Sequence, residues 1–389
     1  HMTDFGARLE SESKKTLLVK ILSIDWVMFI SALLISLAGL VTMNSFLGNN
    51  SFFQHQFVWL VVSVIIFFVF SLFDFHFLRR TSVVVSIYVF ACLSLLALFS
   101  LGMVTKGSQS WFSFGGVSFQ PAELAKISVI ILLAKYFSRR HIEIANFRHI
   151  LVSGIYALIV FILVFLQPDF GSAFIIFMIW LGMVLLSGLS KKHLFIVLAL
   201  GSIVFSALWF GGILDNYQKL RIKNFLNPTA DIRGTGYNAY QSTIAVGSGQ
   251  VLGKGIGYGT QSKLKFLPEY QTDFIFAAFS EEWGFVGVTL LFGALCALIW
   301  RVIANAFRGS TNFEILFGVG LATLFVSHFV LNAGMNIGLL PVTGVTFPFM
   351  SYGGTHLLIS FASLGILNGM RRYQKTAHNN KLKNEFFGL

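Results

Sequence analysis

Ten stretches of this chain are poor in charge and long enough to span a bilayer, nine of them close to 20 residues and one, 273–303, longer: near 24–45, 56–73, 82–103, 121–137, 149–167, 170–189, 194–213, 273–303, 314–336 and 353–372. A bilayer core about 30 Å thick is crossed by a helix of roughly 17–25 apolar residues. In lipid every backbone N–H and C=O must be satisfied within the span, so each stretch reads as a helix. The expected fold class is all-α: a polytopic integral membrane protein of about ten transmembrane helices with one large extracytoplasmic loop. Composition agrees, with 56% hydrophobic and 11% charged residues, and excludes an ordinary soluble domain. The fifth and sixth spans are parted only by QPDFG at 167–171, the least defined boundary. Cys92 and Cys296 sit in apolar runs and offer neither a disulfide framework nor zinc spacing.

Lys and Arg orient the spans, because short cytoplasmic loops carry the excess. With the N-terminus inside, 19 of the 28 basic residues fall in the tails and alternate loops on that side. The short outer loops carry only Lys106. The expected organisation is a cytoplasmic tail over 1–23, a membrane domain over 24–373 and a cytoplasmic tail over 374–389. The tail to residue 23 shows no cleavage-site pattern, so the first span is expected to stay as an anchor. The one sizeable segment outside the spans is 214–272. It carries seven basic residues against Asp215, Asp231 and Glu269, a surface suited to an anionic partner or to plain solvation.

The stretch FLPEYQTDFIFAAFSEEWGF (266–285) places Glu269, Asp273, Glu281 and Glu282 at or inside the eighth span. An ionisable residue at membrane depth costs about 2.5–3.5 kcal/mol on insertion scales, so it needs a partner or a polar cavity. Thr272 or Asp273 reads as an N-cap of that span. Asp273 also lies where a carboxylate is partly desolvated yet reachable, as a general base requires. Glu123 and Lys126 are spaced i, i+3 on the fourth span, as a self-neutralising pair or the floor of a substrate cavity. Asp169, in the turn between two spans, is equally ambiguous. Asn332, Asn336, His328 and His356 read as hydrogen-bonding glue between helices.

GSGQVLGKGIGYGT (247–260) lacks the spacing of a Walker loop and the βαβ setting of a dinucleotide fold. It reads either as a compact turn-rich loop or as backbone that cradles phosphate. GLLPVTGVTFPFMSYGGT (338–355) is non-helical, and irregular backbone near a membrane must be buried or line a wet cavity. Acids at an outer mouth beside a basic loop suit a transporter and an intramembrane enzyme equally well.

Longer motifs separate these readings. FLPEYQTDFIFAAFSEEWGFVG, WFSFGGVSFQPAELAK (111–126), LQPDFGSA (166–173), RIKNFLNP (221–228) and the 338–355 segment resemble the SEDS family (shape, elongation, division and sporulation), typified by RodA and FtsW. GTQSKLKFLPE is more RodA-like than FtsW-like. The resemblance implies a peptidoglycan glycosyltransferase that polymerises lipid II at the outer face of the bacterial cytoplasmic membrane. Its partner would be a class B penicillin-binding protein. The resemblance puts the catalytic aspartate at Asp273. It matches Glu123, Lys126, Arg221 and Gln241 to family positions, and these, with Lys263, Glu269 and Ser351, are the expected substrate-binding residues. No cofactor is implied, although a divalent cation on the pyrophosphate is compatible. A lipid II flippase, a scaffold for the transpeptidase and an FtsW-like division enzyme are the competing readings at this stage.

Overall fold

A computed structural model describes residues 24–45, 51–105, 108–114, 117–139, 147–188, 191–212, 216–227, 236–264, 266–309 and 311–387. The expected 1–23 tail, Lys106 and the acids Asp215 and Asp231 lie outside the described residues. Ten long helices stand where the ten apolar stretches predict them. They are α1 (Trp26–Asn44), α2 (Ser51–Leu72), α3 (Thr81–Leu101), α4 (Pro121–Ser138), α5 (Phe147–Phe165), α6 (Phe170–Leu186) and α7 (Lys191–Phe210), followed after the long segment by α11 (Ile275–Phe307), α12 (Asn312–Asn336) and α13 (Gly354–Phe387). Seven of them are long and apolar enough to cross a membrane on length and composition alone. Of the others, α6 has 17 residues, α4 carries Glu123, Lys126 and Lys135, and α13 runs on into polar sequence after Arg371.

The long segment is not a bare loop. Its described part folds into α8 (Asn216–Leu226), α9 (Tyr237–Ser248) and a single turn α10 (Thr260–Lys263). The other departure from bare helices is small. Strands β1 (Met103–Thr105), β2 (Ser108–Phe114) and β3 (Val117–Phe119) form an antiparallel sheet between α3 and α4. Phe112 pairs with Phe119 and Met103 with Trp111.

Packing explains which helices reach the middle. α13 lies along α2, α11 along α1, and α12 against α4, α6 and α11. α4 and α12 are therefore central. Small residues let backbones approach where lipid supplies no hydrophobic drive. A Cβ on Gly365 or Gly369 of α13 would stand 2.8 Å from backbone oxygens of α2 or the turn after it. At the other extreme α7 is only 6% buried against 67% for α12, so its apolar surface faces outward.

One end of the bundle is closed by a charge network. Asp25 is the N-cap of α1, accepting from the Met28 N–H at 3.1 Å. It also accepts from Arg301 Nη2 at 2.6 Å, Arg371 Nη1 at 2.8 Å and Asn305 Nδ2 at 2.9 Å. A single carboxylate, 2% exposed, thus ties α1, α11 and α13. Glu314 pairs with Arg79 at the start of α12 in the same manner. Removing one side of a buried pair leaves an uncompensated charge, at about 3–5 kcal/mol. Asp25→Asn is expected to lower stability by about that amount, read as a lower thermal unfolding midpoint in detergent. An unchanged midpoint would show that the arginines find other partners.

Candidate active site

Asp273 lies just before α11, at the end of the helix opposite Arg301. The chain between them would run on the order of 40 Å as straight helix at 1.5 Å rise per residue, long enough to cross a bilayer core. Asp273 does not cap the helix, contrary to the sequence expectation. α11 starts one residue later, with Phe274 at the cap position and no side-chain cap bond. The carboxylate is half-buried and faces the 338–355 segment. A Cβ placed on Gly344 would lie 3.5 Å from Asp273 Oδ2 and 4.0 Å from Arg221 Nη1. Carboxylate and guanidinium therefore both stand within 4.0 Å of the one position that a side chain on this residue would take. Gly344 has φ +74°, a left-handed conformation that glycine adopts without a Cβ penalty. Arg221, from α8, is oriented by donating Nη1 to the Val342 carbonyl at 3.0 Å.

The segment that carries Gly344 is irregular but fully braced. The Ser351 hydroxyl donates to the Thr272 carbonyl at 2.7 Å and accepts the Phe347 N–H at 2.7 Å. Gln56 Nε2 donates to the Ser351 carbonyl at 3.0 Å, and the Tyr352 N–H donates to the Gln271 carbonyl at 2.8 Å. Asn332 Nδ2 donates to the carbonyls of Val345 at 2.6 Å and Asp273 at 2.8 Å. On the other side, a Cβ on Gly171, two residues after Asp169, would meet the Thr343 carbonyl at 2.7 Å. Asp169 itself caps α6 and accepts from Gln120 Nε2 at 3.1 Å. Burial raises the Tyr270 phenol above its usual range, and Glu269 adds to the effect. Burial also raises Tyr352. Both stay neutral donors at neutral pH.

Glu123 and Lys126 sit behind this wall. Lys126, 1% exposed, donates from Nζ to Glu123 Oε1 at 2.7 Å and lies 3.1 Å from His328 Nε2. His328 Nδ1 is 3.0 Å from the Thr346 carbonyl, so that nitrogen carries the proton and Nε2 accepts from the ammonium. His356 Nδ1 lies 3.1 Å from Glu123 Oε2. Donor atoms of Glu123, His328 and His356 are within 4.8 Å of one another, the reach of a metal site. The Lys126 ammonium bonds two of the three, so it takes the place of an ion there. The cluster contacts the wall through Thr346. It is a buried quartet of three helices rather than a face open to ligand.

Of the other sequence-predicted residues, Glu269 stays beside Asp273. Its carbonyl accepts from the N–H groups of Thr272 and Phe274, and its Oε2 accepts from the Thr272 hydroxyl at 3.1 Å. Gln241 is half-buried on α9, next to Ser242, whose hydroxyl donates to Asn336 Oδ1 at 3.1 Å. Lys263 belongs to the glycine-rich loop, donating to the Gly257 carbonyl at 3.1 Å beside the Tyr258 ring.

That loop answers the phosphate question. The N–H groups of Lys254, Gly255, Gly257 and Thr260 are spent on α11. Lys254 and Gly255 donate to the carbonyls of Glu281 and Glu282, and Gly257 donates to Glu282 Oε1 at 3.0 Å. Thr260 N–H reaches Glu281 Oε1 at 2.8 Å, and Lys254 Nζ the same oxygen at 2.7 Å. Ser45 of α1 pairs with Glu282. α11 is broken here: Gly284 has φ +62°. The backbone beyond the break donates from Phe285 and Val286 to the carbonyls of Gln250 and Val251. The two deep acids therefore fasten a compact loop onto a helix break. Sequence spacing leaves them without a role, because their donors lie 20 and more residues away in the chain.

The chain matches the family described as cell cycle protein, FtsW/RodA/SpoVE, over residues 15–376. It is 37% identical over 292 residues to the peptidoglycan glycosyltransferase MrdB of Escherichia coli, covering 74% of this chain and 78% of that one. Stage V sporulation protein E of Bacillus subtilis is 33% identical over 361 residues, 90% of this chain and 98% of the relative. Among solved structures, one reported as a peptidoglycan synthase complex that coordinates polymerization and crosslinking aligns with TM-score 0.77 and 29% identity, over 90% of this chain and 99% of that one. The rod-shape-determining protein RodA of Thermus thermophilus aligns with TM-score 0.67 and 26% identity, over 90% and 97%. On the ten helices, the braced 338–355 segment and these matches, the chain belongs to the FtsW/RodA/SpoVE family of polytopic membrane proteins.

Proposed function

We propose that this chain polymerises lipid II into glycan strands, with Asp273 as the general base. That it is a peptidoglycan glycosyltransferase follows from its family and from relatives carrying that name. The observation that carries the catalytic reading is the meeting of Asp273 and Arg221 beside Gly344. In the donor, the sugar is α-linked to pyrophosphate, and the product bond is β. One inverting displacement joins them. The acceptor 4-hydroxyl loses its proton to the Asp273 carboxylate as its oxygen attacks the anomeric carbon, and the pyrophosphate leaves with the bonding pair. A base of this kind contributes about 10²–10⁴-fold. Arg221 is placed to stabilise the departing phosphates, as fixed cations do in a water-poor site. A divalent cation carried by the pyrophosphate would add to Arg221, and activity with and without chelator reads that contribution.

In this reading the Asp273 end of the bundle faces outward and the Asp25 end faces the cytoplasm of a bacterial inner membrane. The basic residues flanking Asp25 follow the positive-inside rule. The partner is a class B penicillin-binding protein, in keeping with the synthase complex that this fold resembles. The GTQSKLKFLPE sequence at 259–269 favours elongation over division. The test is purified protein, alone and with such a partner, given labelled lipid II, with products resolved on a gel. Glycan ladders are expected. No polymer in either case, together with transfer of lipid II across vesicle membranes, would replace the enzyme by a flippase.

A further inference from the structure

The first turn of α11 is interrupted by a side chain. In an uninterrupted helix the Ala277 N–H would donate to the carbonyl of Asp273, four residues back. Instead it donates to Asn336 Oδ1 at 3.2 Å, while Asn336 Nδ2 donates to the Asp273 carbonyl at 3.0 Å. The amide of Asn336 thus fills the gap of one missing backbone bond, acceptor to one side and donor to the other. Insertion of a side chain into the i→i−4 ladder is a recognised cause of helix deformation. Here it stops the helix one residue short of the base.

The inserted amide is itself fixed. Asn336 Nδ2 also reaches the Asn332 carbonyl at 2.8 Å, and the Ser242 hydroxyl donates to Asn336 Oδ1 at 3.1 Å. Asn332 adds a second donor to the Asp273 carbonyl at 2.8 Å and holds the Val345 carbonyl at 2.6 Å, next to Gly344. Both asparagines are fully buried on α12. The same two amides therefore set the backbone on both sides of the gap between Asp273 and the wall that holds Arg221.

We propose that Asn336, seconded by Asn332, is a positioning residue for the base: its amide keeps Asp273 from becoming the N-cap of α11 and so aims the carboxylate at the Gly344–Arg221 side of the site. This rests on the reading of Asp273 as general base. Without the amide, the Ala277 N–H can close on the Asp273 carbonyl, beside the bond from Asn332, and α11 gains Phe274 with Asp273 as its N-cap. An N-cap aspartate turns its carboxylate onto the N–H groups of the first turn, here those of Ile275 and Phe276, and so away from the Gly344 side.

The experiment is steady-state polymerisation of lipid II by Asn336→Ala, Asn332→Ala and Asp273→Asn in the full chain with its transpeptidase partner. Direct lipid II binding and thermal unfolding are measured beside it. N336A is expected to lose at least about tenfold in kcat, with KM and lipid II binding within about twofold of wild type, as for a group that acts only on transition-state geometry. The double variant N336A/A277P removes the N–H that would close the turn, and proline is tolerated near a helix start. It is expected to recover about threefold or more over N336A. A role in packing alone predicts the opposite, because proline can only add damage. Wild-type kcat in N336A, or a loss matched by an equal loss of lipid II binding, overturns the proposal. So does a double variant worse than the single. If N336A does not fold, N332A decides: lowered kcat at unchanged KM supports it, and wild-type kcat overturns it. Activity in D273N would instead remove the base, whatever the asparagine variants do.

Discussion

Asp273→Asn is expected to abolish detectable glycan polymerisation while leaving lipid II binding and the thermal unfolding midpoint close to wild type. The reason is local. Asn332 and Asn336 hold the backbone carbonyl of residue 273, which the substitution leaves in place. The side chain stands at the wall beside Gly344 and Arg221. An amide of the same shape keeps those surroundings but cannot take a proton from a hydroxyl. The loss is expected at about 10²–10⁴-fold, the usual worth of general-base catalysis, measured as initial rates on labelled lipid II. Polymerisation within tenfold of wild type would remove Asp273 from that role. A variant that is inactive because it unfolds would show in the melting curve.

The second large effect is on stability. Lys126→Gln is expected to cost about 3–5 kcal/mol, because it leaves Glu123 buried with no fixed cation beside it. Glu123 is 5% exposed, and its remaining partner among the described residues is His356. The paired change Glu123→Gln with Lys126→Gln removes both charges and is expected to cost clearly less than either single variant. Contacting groups are non-additive in this way. Thermal unfolding of the four proteins gives the coupling directly. If the double variant is as unstable as the sum of the singles, the pair does not act as a unit. The quartet would then be four separate anchors.

The ten helices were legible because the reason for them is one-dimensional. Lipid satisfies no backbone group, so length and apolarity alone mark a span. The positions of Asp273, Arg221 and the 338–355 segment were legible as motifs, and the structure brings these three together. Glu123 with Lys126 was readable as an i, i+3 pair, but the two histidines that complete the quartet come from α12 and α13. Glu281 and Glu282 could not be explained from the chain alone, since their donors belong to the glycine-rich loop. Asn332 and Asn336 gave a faint signal as polar residues i, i+4 on an apolar helix. Read alone they are glue.

The sequence by itself determined the class of molecule, the order of its spans and the residue types available for chemistry. Each of these depends on local composition or on spacing within a single segment. Tertiary structure decided where α11 begins, which carbonyl the two asparagines hold and which glycine Asp273 and Arg221 share. It also decided that Glu281 and Glu282 are braces for the glycine-rich loop. Those outcomes depend on hydrogen-bond partners 59 to 63 residues apart, as between α12 and Asp273. Inside a membrane such partners must be found within the protein, because neither water nor lipid can take their place.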